Sequence, residues 1–108
     1  MMDVYHEQLP NSYLLIARSI DQQGPEQTLE RALFRASQSG KPAVWLDCSL
    51  LTDLSAEALE VLLAYQVVLH RHGQALVLSH VSPAVRTRLL SHRDGASLPL
   101  RPSLLDAA

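Results

Sequence analysis

The sequence predicts an α/β fold: a mixed β-sheet with flanking α-helices, in the order ββαβαβα, then a short strand and a last helical turn. Three observations predict it. Short apolar runs of strand length alternate with longer stretches of helical spacing, the pattern of a sheet joined by helical crossovers. Gly40, Gly73, Pro42 and Pro83 fall between these runs, where they stop or start helices. The chain has 108 residues and is 47% hydrophobic, enough for one domain with its own core. A single domain over residues 1–108 is therefore the expected organisation.

Each element has a local cause. Residues 3–8 and 13–20 flank Pro10-Asn11-Ser12, a turn cluster, and read as an antiparallel hairpin. Gly24-Pro25-Glu26 opens a helix, since Pro is tolerated in the first turn and an acid there suits the helix dipole. Leu29, Ala32, Leu33 and Ala36 follow helical spacing, and Gly40 with Pro42 ends the helix. Ala43-Val44-Trp45-Leu46 is a short apolar run, as expected of a central strand covered on both faces. Ser55 is the expected N-cap of a second helix with Glu57 in its first turn. That helix runs to about His72, and Gly73 fits its left-handed C-terminal position. Its expected apolar face comprises Ala58, Leu59, Leu62, Leu63, Val67 (or Gln66) and Leu69. Residues 75–78 form a second buried strand, and the crossover between makes it parallel to the first. Ser82-Pro83 caps and opens a short helix to Leu90. Residues 91–97 read as a polar loop, residues 98–100 as an edge strand, and Ser103 as the cap of a final turn.

Composition removes several function classes. Net charge is −2 and the basic residues are scattered, so no nucleic-acid stripe is present. Cys48 is the only cysteine, which excludes an internal disulfide and a cysteine-rich metal site. No apolar run approaches the roughly 20 residues of a bilayer span, and the N-terminus lacks the pattern of a signal peptide. A cytoplasmic protein without a cofactor is the expectation.

From Val44 to Leu90 the chain resembles the STAS domain, shared by anti-sigma factor antagonists and the tails of sulfate transporters. The residues that carry the resemblance are Leu46-Asp47-Cys48-Ser49, then Ser55-Ala56-Glu57-Ala58-Leu59, Gly73, Leu76-Val77-Leu78 and Val81-Ser82-Pro83. They match without a gap from Asp47 to Pro83. The resemblance implies a STAS-like mixed sheet and a non-enzymatic module that binds another protein. It implies an anti-sigma factor or kinase-type regulator as that partner. It also extends to STAS subunits of ABC-type phospholipid transport complexes, an alternative role.

The departures from the family pattern bear on regulation. Ser55 stands where the family has its loop Asp, Ala58 replaces a Gly, and Ala56 stands where phosphorylatable members have Ser or Thr. A register shifted to align Asp53 with the family Asp puts Leu54 at the phosphosite and breaks the gapless match. Alanine has no oxygen to accept a phosphoryl group, so the usual switch does not carry over. The expected partner-binding residues are Ser49, Thr52, Asp53, Leu54, Ser55, Ala56 and Glu57.

Most of the polar residues also have a structural reading. Ser55 is either a helix cap or a displaced phosphosite. Asp47 and Ser49 can fix the loop after the strand by bonding its backbone. Leu50, Leu51 and Leu54 either fold back on the core or meet a partner. An enzyme built on Cys48, Asp47 and His80 is a third function class. No neighbouring base in the sequence activates the thiol, and no glycine-rich phosphate loop occurs. His70 and His72 lie two apart on a helix and do not share a metal-binding face.

Overall fold

A computed structural model describes residues 2–19, 27–91 and 100–101. The elements are β1 (Met2–Gln8), β2 (Ser12–Ser19), α1 (Gln27–Gln38), β3 (Ala43–Leu50), α2 (Ala56–Arg71), β4 (Ala75–Ser79), α3 (Pro83–Ser91) and β5 (Leu100–Arg101). They follow the expected ββαβαβαβ order. The final turn expected after Ser103 and the loop at 92–97 lie outside the described residues, as does the helix opening at 24–26.

One sheet holds all five strands in the spatial order β1-β2-β3-β4-β5. β1 and β2 pair antiparallel through a tight turn in which the Leu9 amide donates to the Ser12 carbonyl at 2.8 Å. The remaining neighbours pair parallel, as their helical crossovers require. The register aligns side chains in rows across the sheet. Tyr13, Val44 and Leu76 form one row, and Leu15, Leu46 and Leu78 the next. These rows face the helices and meet Leu29, Leu33, Leu59, Leu62, Leu69, Val85 and Leu89 in one core. The opposite face carries the row Leu14, Trp45, Val77. Trp45 is buried there, apart from the helix-side core.

The helix ends follow their sequence signals. Gly40 and Gly73 both have positive φ, the conformation in which glycine has no side-chain penalty. At Gly73 the chain reverses out of α2: Gly73 N donates to His70 O, and Gln74 N to Leu69 O at 2.8 Å. These two bonds satisfy the last carbonyls of the helix. Ser82 Oγ accepts from the Val85 amide at 3.2 Å and so caps α3.

Two expectations need correction. Val67 is 51% exposed and is not part of the buried face of α2. It stands about 140° around the helix from Leu62, so the core that takes Leu62 and Leu69 cannot take it as well. Leu63 is half-buried at the margin. The central strand is also longer than its apolar run, because β3 continues through Asp47, Cys48 and Ser49 to Leu50. Pairing with β2 extends past an irregularity to Arg18↔Leu50, so backbone bonding outlasts the apolar pattern.

Leu62 is 1% exposed at the centre of the α2 contact. Leu62→Ala is expected to cost about 2–5 kcal/mol through lost contacts and a residual cavity. Urea unfolding measures it, and an unchanged midpoint would refute this helix phase.

Candidate functional site

The C-terminal ends of the parallel strands meet the N-terminus of α2 at the segment Ser49–Glu57, where functional loops of α/β sheets gather. Its backbone is tied down at several points. Ser49 N donates to Asp47 Oδ1 at 2.8 Å, Leu51 N to Cys48 O at 3.0 Å, and Thr52 N to Ser19 Oγ at 3.3 Å. Leu54 N donates to Asp53 Oδ1 at 2.7 Å. The other Asp53 oxygen faces Arg88 of α3 at 3.4 Å. The Leu54 amide above all holds the Asp53 carboxyl below its usual range, against an opposing effect of burial and with smaller help from Arg88. A shallow cavity of about 330 Å³ lies between this ion pair and the α3 residues Ala84, Thr87 and Ser91.

The leucines of the loop divide. Leu51 and Leu54 are buried, while Leu50 is 50% exposed. Leu54 therefore departs from the expected contact set, because its side chain lies in the core and anchors the loop from beneath. Ser49, Thr52, Ala56 and Glu57 are exposed, and Asp53 and Ser55 are half-buried. The polar and apolar residues of this segment thus split into an inner set that fixes it and an outer set that solvent reaches.

Ser55 has extended backbone and is the N-cap of α2. Its Oγ accepts from the Ala58 amide at 3.0 Å, satisfying one of the free donors of the first turn. Ala56 is the first helical residue and its methyl faces solvent. Glu57 adds a negative charge where the helix dipole favours one.

The geometry does not build a catalytic centre around Cys48. Its thiol is buried, and its Sγ–H points to Leu46 O at 3.6 Å. Burial, helped by the charge of Asp47, pushes its pKa up to about 12. His80 is exposed just past β4, with φ +53, and serves as a turn residue in the left-handed region. Histidine is enriched among non-glycine residues there. Among the described residues no group of three or more His, Cys, Asp or Glu side chains gathers to hold a metal. No helix of the described residues is long and apolar enough to cross a membrane.

Sequence reasoning missed Ser19, Arg88 and Gln74. The first two hold the loop from residues 33 and 35 positions away. Buried Gln74 donates from Nε2 to Ala36 O at 3.1 Å and Lys41 O at 2.8 Å, joining the end of α1 to the start of β4. No local pattern marks such long-range partners.

A mixed sheet in this strand order, with three helices packed on one face and a capped helix at the end of the central strand, is a STAS-like fold. Solved structures share it. An anti-sigma factor antagonist from Mycobacterium paratuberculosis matches with a TM-score of 0.81 and 24% identity, over 99% of this chain and 91% of that one. A serine-to-glutamate variant of RsbS from Moorella thermoacetica matches at 0.79 and 19%, over 96% of this chain and 92% of that one. A chain from the molecular architecture of the stressosome, described as a signal integration and transduction hub, matches at 0.71 and 19%, over 95% and 94%. No family model matches the sequence, and no curated protein does.

Two outcomes follow from the site geometry. Iodoacetamide should label Cys48 very slowly in the native protein at neutral pH and rapidly once urea unfolds it, because the thiolate is scarce and enclosed. Fast native labelling would contradict the buried assignment. Ser55→Ala should lower stability by about 1 kcal/mol through loss of the cap, read as a reduced denaturant midpoint.

Proposed function

We propose that the chain is a non-enzymatic protein-interaction module of the anti-sigma factor antagonist type. Its partner is an anti-sigma factor or a kinase-type regulator. The docking surface is the outer set of the candidate site: Ser49, Thr52, Asp53, Ser55, Ala56 and Glu57, joined by exposed Leu50. The observation that carries this reading is the pinned segment itself. It presents a short row of accessible side chains on a backbone already fixed by Asp47, Ser19, Arg88 and two buried leucines. A surface fixed before contact loses little conformational freedom on binding. Likeness to anti-sigma factor antagonists and to a stressosome component supports the class of partner.

Binding at this surface is constitutive in the proposal. Ala56 cannot accept a phosphoryl group, and Ser55 uses its Oγ as the helix cap. A phosphoryl group on Ser55 would have to displace or rebuild that cap. Control then rests on the abundance of the protein rather than on a covalent mark.

Ala56→Glu tests the surface. The substitution places a negative charge in the contact while suiting the first turn of a helix. Binding to the co-purified partner, measured by calorimetry, is expected to weaken by about tenfold or more, the scale of one unfavourable charge at an interface. The thermal melt is expected to stay nearly unchanged. Unaltered affinity would place the interface elsewhere, and efficient phosphorylation of Ser55 or Thr52 by the partner would overturn constitutive binding.

A further inference from the structure

A second concavity lies away from the Ser49–Glu57 surface, between β1, β2 and α1. It has a volume of about 200 Å³, and its polar walls are His6, Tyr13, Thr28, Arg31 and Arg35. Every one of these side chains is able to donate a hydrogen bond, and among the described residues no carboxylate lines the pocket. Arg31 and Arg35 are four residues apart on α1 and so share a helix face. Neither is in an ion pair with any described carboxylate; the two ion pairs among the described residues use Arg18 and Arg88. The ring of His6 stacks on Tyr13 at 5.9 Å and 10°. Tyr13 is only 4% exposed and lines the same pocket. Two guanidinium groups without a described carboxylate partner, beside three further donors, make a concavity suited to an acceptor from solvent.

The same two arginines also line a neighbouring groove of about 460 Å³ between α1 and α2. Its character is different. Phe34, 55% exposed, and Tyr65 form an aromatic wall with Gln27 and Glu30 at its margin. Glu30 belongs to this side: its charge, after burial, raises the Tyr65 hydroxyl above its ordinary range. The acid therefore sits by Tyr65 and not in the donor-lined pocket. Arg31 and Arg35 form a ridge with hydrogen-bond donors on one flank and exposed aromatic surface on the other.

We propose that this ridge is a binding site for a small aromatic oxyanion, a carboxylate or phosphate monoester, with its charged group in the donor-lined pocket and its ring against Phe34 and Tyr65. Guanidinium forks match the paired oxygens of either headgroup, and they stack on rings as well. The two flanks together select for an anion with an apolar body over a simple ion. The site is independent of the protein-docking surface, so its failure leaves that surface untouched.

The test is a set of ¹⁵N and side-chain NMR titrations on the full chain. The probes are phenyl phosphate, benzoate, inorganic phosphate and neutral benzyl alcohol. Phenyl phosphate or benzoate should shift the His6 ring and the Arg31 and Arg35 side-chain resonances. It should bind about tenfold or more tighter than inorganic phosphate or benzyl alcohol, since charge-assisted bonds and ring burial each contribute on that scale. Arg31→Gln combined with Arg35→Gln should abolish the preference for the charged aromatic probe. Phe34→Ala should weaken the aromatic probes and leave inorganic phosphate unchanged. All three positions are exposed, so folding is expected to survive, as a thermal melt would verify. The wild-type resonance map reads the site without any variant. Equal affinity for all four probes, shifts centred outside β1 and α1, or full binding by the double arginine variant would overturn the proposal.

Discussion

The fold depends on a line of three leucines. Leu15, Leu46 and Leu78 come from β2, β3 and β4, stand side by side in the parallel register, and are each fully buried. A slip of one residue in any of these strands would exchange core and outer faces along its length. That row fixes where each strand ends, and the ends of β3 and β4 fix where the loops begin. The helices then have one apolar surface to cover, and all three place their buried side chains on it. The site is thus positioned by core packing some distance beneath it.

Much of this was legible in the sequence because the signals are local. Ser55 before a helical run, Gly73 after it, and Ser82-Pro83 before the next helix are each read from one or two neighbours. The short strands at 43–46 and 75–78 were legible because their apolar content is dense. Periodicity alone does not separate Val67 from its neighbours, because α2 is apolar around much of its surface. The extent of β3 is not legible locally, because Asp47, Cys48 and Ser49 look like a loop and are held in the ladder by β2.

The candidate site was legible in outline and not in division. Its residues are contiguous, so the segment itself stood out. Which side chains point inward depends on partners far along the chain. Leu51 and Leu54 join the core while Leu50 remains outside, a distinction the run of leucines does not encode. Asp53 gains its role from Arg88, and Thr52 from Ser19. The Asp53 arrangement also has a pH sense. A carboxyl held below its usual range stabilises the loop above the unfolded pKa, and that contribution is lost as pH falls through the folded value. Because the ion pair is well exposed, solvent screens it and the effect is small.

The position of β1 has a consequence for assembly. Among the described residues it is the outermost strand on one side of the sheet, seven residues long, and pairs only with β2. Such a border offers free amides and carbonyls to any passing extended chain. Asp3, His6 and Glu7 place ionisable groups along it, and Asp3 is engaged by Arg18 at 3.8 Å. A foreign strand would have to bring these groups into close company and shed their water. The charged border therefore acts as a guard against sheet extension, and favours recognition through side chains over recruitment into fibrils.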